Sequence, residues 1–366
     1  MNYVDCVIVG GGQSGIAASY SCKQQYISHI VLDANAALGD SWRTRYESLQ
    51  LFSPRKFSAL GNMRLPGNPD GLPVKNEVAD YLHQYAYHFE LPVRLNQHVT
   101  HIRKSRGTSY GFETVTSQGQ IWQSSSVIIA TGPHSNPFIP EIATQIRSTT
   151  TQMHSSKYRS LTDTPGKSIL IVGGGNSGAQ IACELALAGK QVAISTHHPL
   201  TFVPQTILGV TLVGWLASLG PFGIFSTLST RRGRFLQRHA NTVIGYELRQ
   251  LLRSRQVVQY AGVTGAHNHQ ILFEDGAAQN FDTVIWCTGY VPQYEIIQHI
   301  QGALDALGLP VHTQGISKIP GLYFMGLSWQ RSMASTLIMG AAPDAQFITR
   351  NLKRYLVDVV PKFCAT

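Results

Sequence analysis

The chain has 366 residues, with 29 Lys and Arg against 20 Asp and Glu and a formal charge of +9. Hydrophobic residues make up 43% and charged ones 13%, the latter about half the share of an ordinary soluble domain. The surface is therefore polar more than ionic, and the length suits one large α/β unit or two interleaved domains. With 34 Gly and 17 Pro, collagenous, disordered and coiled-coil chains are excluded.

Cysteines stand at 6, 22, 183, 287 and 364, with no CxxC pair and no clustered spacing. Neither a redox-active dithiol nor a metal site is expected. The first residues read as a strand with no basic stretch before an apolar run, so no signal peptide is expected and a reducing cytoplasm is the default. Arg231, Arg232, Arg234 and Arg238 form a tight basic cluster. No basic stripe interleaved with aromatics accompanies it, and no nucleic-acid partner is expected.

In chain order, residues 4–9 (VDCVIV) predict an apolar strand running into Gly10, Gly11, Gly12, Gln13, Ser14 and Gly15, then a helix. Gly10 permits the tight turn, Gly12 leaves room for a pyrophosphate, and Gly15 lets helix and strand approach. The next strand, HIVLD, ends at Asp33, where a carboxylate can accept hydrogen bonds from an adenosine ribose. A tight turn that binds nothing is the plainer alternative. The unit recurs at 168–172 (SILIV), followed by Gly173, Gly174, Gly175, Asn176, Ser177 and Gly178, a helix, and the strand QVAIS. That strand leads to Thr196, His197, His198 and Pro199, with neither an acid nor an Arg. The histidines suit a ribose diol or, when protonated, a phosphate, so tolerance of both NADH and NADPH is expected. Two further strands close on Ala130, Thr131 and Gly132 and on Cys287, Thr288, Gly289 and Tyr290. Two dinucleotide sites in one chain imply electron traffic between two cofactors, as in a flavoenzyme reduced by a nicotinamide.

Residues 201–230 contain no charged residue and run into RRGR. Gly209, Gly214, Gly220 and Pro221 interrupt the roughly 20 apolar residues that a bilayer span requires. The segment reads as apolar helices lining a hydrophobic access route, with a weak monotopic contact with anionic lipid as the alternative.

The ordered set VIVGGGQSG (7–15), LGDSW (38–42), ATG (130–132), MHSSKY (153–158), IVGGGNSG (171–178), WCTGY (286–290) and PGLYFMGLSWQRS (320–332) resembles the class B flavoprotein monooxygenases. The likeness is to the short bacterial flavin-containing monooxygenase-like group, and the chain also resembles plant YUCCA-type and CzcO-like oxidoreductases. It implies an α/β fold of two Rossmann-like dinucleotide-binding domains, the NAD(P) domain inserted into the FAD domain. The expected boundaries are 1–155 for the first part of the FAD domain, 156–284 for the NAD(P) domain with an apolar helical insert at 201–240, and 285–366 for the second part. The resemblance places Gly10, Gly12, Gln13, Ser14, Gly15, Asp33, Ala34, Gly39, Ser41, Trp42, Gly326, Thr336 and Leu337 at FAD. It brings the segment after residue 320 and Asp344 towards the flavin. Departures are Ser148 and Thr150 in a fingerprint where His154 and Tyr158 fit, Asp40 in place of Gly, and Phe52 where many relatives carry an Asn after SLxL.

Such an enzyme would pass hydride from NADPH or NADH to FAD and use O2, through a C4a-(hydro)peroxyflavin, to oxygenate a small apolar substrate. Sulfoxidation, N-oxidation and Baeyer-Villiger oxidation all remain open, and so does a homodimer. Asn176 is a candidate to meet the flavin or nicotinamide, Trp42 to lie beside them, Arg331 to hold nicotinamide or substrate, and Phe52 to border the oxygenated flavin. An NAD(P)H oxidase or a flavin-dependent reductase with a small acceptor is the alternative.

Overall fold

The computed structural model of the protein describes residues 2–105, 111–238, 242–267 and 269–358. Cys364 and residues 239–240 of the expected insert lie outside them. The VDCVIV run becomes the strand Asn2–Val9 near the middle of a nine-stranded sheet. Cys6, Val7 and Ile8 are wholly buried, as expected of a parallel strand covered on both faces. Its parallel neighbours are His29–Leu32, with Val7 beside Ile30, and Ile121–Ile129, with Val7 beside Val127. On the far side of Ile121–Ile129 lies Leu322–Phe324, with Tyr323 beside Ile128. Strands from both ends of the chain therefore share one sheet.

The intervening chain builds a second, five-stranded parallel sheet. Its order is Val257–Tyr260, Gln191–Ser195, Ser168–Val172, Thr283–Trp286 and Thr151–His154. The architecture is thus α/β, one Rossmann-like unit within another, as the sequence predicts. An antiparallel extension, Val263–His267, Gln270–Phe273 and Ala278–Gln279, follows the outer strand of the inner unit.

The two units are stitched together by the segment after Trp42. Tyr46 is buried in the core of the inner unit beside Tyr158, Ile171 and Ile285. Its hydroxyl donates to Gln180 Oε1 at 2.5 Å, and Ser48 Oγ donates to Glu184 Oε2 at 2.6 Å. Lys75 Nζ donates to the carbonyls of Arg43 and Arg45 at 2.8 and 2.6 Å and fixes the same segment from the outer unit.

The apolar insert is only partly helical, which corrects the expectation for 201–240. Thr206–Ile207 and Val210–Thr211 form an antiparallel hairpin. Leu208 and Gly209 take φ of 51° and 77°, the positive pair that a two-residue hairpin turn needs. Within the described residues α-helix is confined to Leu212–Ser218 and Arg231–Arg238, with a single 3-10 turn at Gly220–Phe222. Ala217 and Ile224 pack inward with Ala334, Leu337 and Met339. Leu208, Leu219, Phe222 and Phe235 face outward. No helix among the described residues is long and apolar enough to cross a membrane.

Candidate active site

Each glycine loop is shaped by contacts that leave no room for a side chain except at one place. A Cβ on Gly15 would lie 1.8 Å from the Gly10 carbonyl oxygen, and one on Gly178 would lie 2.2 Å from that of Gly173. Gly10 (φ 104°) passes against Ala130, whose oxygen would be 2.5 Å from its Cβ; Gly173 (φ 117°) passes against Cys287, whose oxygen would be 2.3 Å away. A Cβ on Gly12 or Gly175 would meet nothing within 4 Å. Those two glycines cap the helices Gln13–Gln24 and Asn176–Leu187 without a side-chain acceptor. Each loop thus leaves open space before unsatisfied backbone N–H groups, and this fits a pyrophosphate.

The ATG and CTG segments explain themselves by the same geometry. Ala130 N–H donates to the Val9 carbonyl at 2.8 Å, and Cys287 N–H donates to that of Val172 at 2.7 Å. The small residues after each strand let the backbone cross beneath a glycine turn. Thr131 is exposed and Gly132 (φ 79°) half-buried in front of the first loop.

Around the first loop the predicted residues converge. Asp33 is 6% exposed. Its Oδ2 accepts from Gly11 N–H at 2.5 Å and its Oδ1 from Asn35 N–H at 2.8 Å, which anchors the carboxylate at the strand end beside exposed Ala34. Trp42 Nε1 donates to Gln13 Oε1 at 3.2 Å, and Gln13 Nε2 donates to the Thr336 carbonyl at 3.1 Å. A Cβ on Gly326 (φ 80°) would lie 2.7 Å from Ser14 Oγ. Gly39 (φ 88°) closes on the helix Lys75–His88, where a Cβ would meet Ala79 O at 2.5 Å. Leu337 follows Thr336 into the apolar cluster under the insert. Ser41 is exposed and Phe52 half-buried on the neighbouring segment.

Arg331, expected to hold nicotinamide or substrate, is engaged within its own unit through Nη1, with Nε buried and without a hydrogen-bond partner. Its Nη1 donates to Asp344 Oδ1 at 3.1 Å and to the Pro343 carbonyl at 3.0 Å, and its guanidinium lies 4.3 Å from the Phe347 ring centre. These contacts tie the guanidinium to the first turns of the long helix Ile338–Asp358. Burial raises the Asp344 pKa against the opposing pull of Ser335 and Arg331. Asp344 Oδ2 is buried without a hydrogen-bond partner, an acceptor suited to a polyol hydroxyl of FAD.

Asn176 is likewise committed. Its Oδ1 accepts from Ile244 N–H at 2.9 Å and its Nδ2 donates to the Thr242 carbonyl at 3.5 Å. The amide therefore ties the loop to the strand Val243–Ile244 instead of reaching a flavin or nicotinamide. Ser177 beside it is exposed. At the end of Gln191–Ser195, exposed His197 and His198 and half-buried Thr196 border an open depression of about 460 Å³. The sequence reading finds no acid here, yet Glu274 arrives from the antiparallel extension and accepts from His197 Nδ1 at 2.7 Å. No local motif signals it.

Between the units, Arg45 Nη1 donates to the Tyr290 hydroxyl at 2.8 Å, and the rings of His134 and His154 stand edge-on to Tyr290, each 5.0 Å away. His154 Nε2 meets the Gly289 carbonyl at 2.9 Å while its Nδ1 accepts from Ser156 N–H, so the ring is neutral; burial lowers its pKa. Thr288 Oγ1 donates to the Phe138 carbonyl. Arg45 and His134 escaped sequence reading because neither belongs to a motif. Cys6, Cys22, Cys183 and Cys287 are free thiols, and burial pushes Cys183 and Cys287 up to about 12. Neither is poised as a thiolate nucleophile.

The family model for pyridine nucleotide-disulphide oxidoreductases matches residues 7–216. The chain is 36% identical over 349 residues to an oxidoreductase CzcO-like of Geobacillus kaustophilus, covering 95% of this chain and 98% of that one. It is 24% identical over 385 residues to the indole-3-pyruvate monooxygenase YUCCA6 of Arabidopsis thaliana, covering 95% and 90%. The solved flavin-containing monooxygenase from Stenotrophomonas maltophilia superposes with a TM-score of 0.79 at 27% identity, over 97% of this chain and all of that one. Paired nucleotide cradles and these likenesses converge: the chain belongs to the pyridine nucleotide-disulphide oxidoreductase family, in its class B flavoprotein monooxygenase-like group, as an enzyme that works with FAD and a nicotinamide coenzyme.

Proposed function

We propose that the outer unit, built from the two ends of the chain, holds FAD at the Gly10–Gly15 loop, and that the inner unit, which runs from the strand Thr151–His154 to the strand Thr283–Trp286 and so starts before residue 156 and ends after residue 284, holds NADH or NADPH at the Gly173–Gly178 loop. The reaction is oxygenation of a small apolar substrate by O2. The observation that carries this reading is the pair of open cradles at Gly12 and Gly175, each before a helix start, in a chain whose described cysteines form no disulfide. When bound, the nicotinamide supplies hydride and the flavin supplies both its acceptor and the oxygen chemistry.

The protein's own residues act as positioners. Asp33 presents a fixed carboxylate to a ribose, and the Trp42–Gln13–Thr336 chain holds three segments around the flavin end of the cradle. The inward face of the insert, with Ala217 and Ile224 packed towards Leu337 of the outer unit, supplies an apolar wall that suits the approach of a small uncharged substrate and keeps water out. Its outward face sets Leu219, Phe222 and Phe235 beside Arg231, Arg232 and Arg234, which supports a peripheral contact with an anionic lipid surface.

The test is turnover of the FAD-loaded enzyme with NADH or NADPH under isotopically labelled O2, offering a thioether, an amine and a ketone in turn. One labelled oxygen in a product supports the reading and names the reaction. Nucleotide consumed with stoichiometric hydrogen peroxide and no labelled product would identify an NAD(P)H oxidase instead.

A further inference from the structure

We propose that Glu274 sets the choice of coenzyme, turning the second nucleotide site towards the unphosphorylated ribose of NADH and against the 2′-phosphate of NADPH. This rests on the reading of the inner glycine unit as the coenzyme site. The end of the second strand of such a unit is where an adenosine ribose lies, and here that end carries His197 with no acid of its own. The fold brings the acid from 77 positions further along.

Glu274 is held in place from several directions. His197 Nδ1 meets its Oε1 at 2.7 Å, Gly262 N–H donates to its Oε2 at 3.3 Å, and its own N–H donates to the Gly262 carbonyl at 2.9 Å. Gly262 lies beneath the pair, and a Cβ there would fall 2.1 Å from His197 Nδ1, so a larger residue would displace the His197–Glu274 contact. The result is a fixed carboxylate on the wall of the depression shared with Thr196, His198, Gln259 and Tyr260. The bond from His197 lowers the Glu274 pKa, which keeps the group anionic at neutral pH.

This arrangement treats the two coenzymes differently. A ribose diol can donate to a carboxylate, whereas a 2′-phosphate brings about 1.5 to 2 further negative charges near neutral pH. Among the described residues neither Lys nor Arg lines the depression to offset them. The Nδ1 of His197, the donor nearest to hand for a phosphate, is already bonded to Glu274. His198 and Tyr260 also line it, the first exposed to solvent and the second half-buried.

The experiment is calorimetric binding of ADP-ribose and of 2′-phospho-ADP-ribose to the FAD-loaded protein, for the wild type and for Glu274→Gln and Glu274→Lys. The flavin spectrum serves as the check on folding. The wild type is expected to bind ADP-ribose at least about tenfold more tightly, a difference of ~1.4 kcal/mol. Glu274→Gln should bring the ratio towards parity, and Glu274→Lys should reverse it. Anaerobic flavin reduction by NADH and NADPH should follow the same order. If both fragments bind and neither variant moves their ratio, the role of Glu274 is overturned while the coenzyme site stands. If neither fragment binds the wild type, the coenzyme reading of this face falls, and the inference with it.

Discussion

The two glycine units solve the same backbone problem in the same way and then diverge at the side chains. In both, the third glycine sits against the carbonyl of the first, and a residue from a distant strand end crosses beneath: Ala130 in one, Cys287 in the other. In both, the middle glycine faces open space. The residue after it differs in use. Gln13 reaches outward to Trp42 and Thr336 and gathers the flavin side, whereas Asn176 turns to Ile244 and braces its own loop. The acids differ too: Asp33 is local and buried, Glu274 distant and exposed. Backbone geometry is set by packing that every nucleotide site shares, while side chains are free to serve the particular ligand.

Placing a methyl group at the tightest contact should break this correspondence most severely. Gly15→Ala is expected to abolish FAD retention and lower Tm strongly, because the Gly10 carbonyl cannot give way 1.8 Å from the new carbon. Gly178→Ala should keep flavin but lose coenzyme-dependent reduction. Flavin-to-protein absorbance ratio and stopped-flow reduction separate the two, and equal loss of flavin in both variants would contradict separate sites.

The next effect belongs to the outer unit. Arg331→Ala leaves Asp344, 4% exposed at its side chain, without its cation, an unpaired buried charge that costs about 3 kcal/mol. Burial raises the folded pKa of this carboxyl, so the neutral form suits the fold. The loss should therefore be smallest below the ordinary carboxylate pKa and grow as pH rises through the raised one. Chemical denaturation from acidic to neutral pH reads this slope; a pH-independent loss would show that Asp344 is not the origin.

Removing the two acids sharpens the contrast between them. Asp33→Ala deletes two hydrogen bonds from backbone N–H groups to a buried carboxylate, worth about 2 kcal/mol together, and should weaken FAD affinity in an equilibrium titration. Glu274→Ala should leave Tm unchanged and alter only coenzyme choice.

The smallest pair compares the residues after the open glycines. Asn176→Ala frees one backbone donor at Ile244 and should cost about 1 kcal/mol, with slower reduction by the coenzyme and an unchanged flavin spectrum. Gln13→Ala should cost a similar amount, yet shift the flavin spectrum by releasing Trp42.

Much of this protein was determined by short-range sequence. Apolar runs that end in GxGxxG and continue into a helix specify a strand, turn and helix, because the steric demands of Gly10 and Gly15, or Gly173 and Gly178, are met within a few residues. The paired units and their order likewise made two cofactors legible. Tertiary structure alone decided what each polar side chain does. Asn176 was claimed by a strand 68 positions away and Arg331 by the buried Asp344, and Glu274 completed a site whose own strand end lacks an acid. The hairpin within the insert was hidden for a related reason: its apolar residues suit helix and strand alike, and the positive φ of Leu208 belongs to a residue type that does not announce it. Local periodicity encodes which face of an element is buried, whereas a hydrogen bond between remote residues exists only once the chain has closed around it.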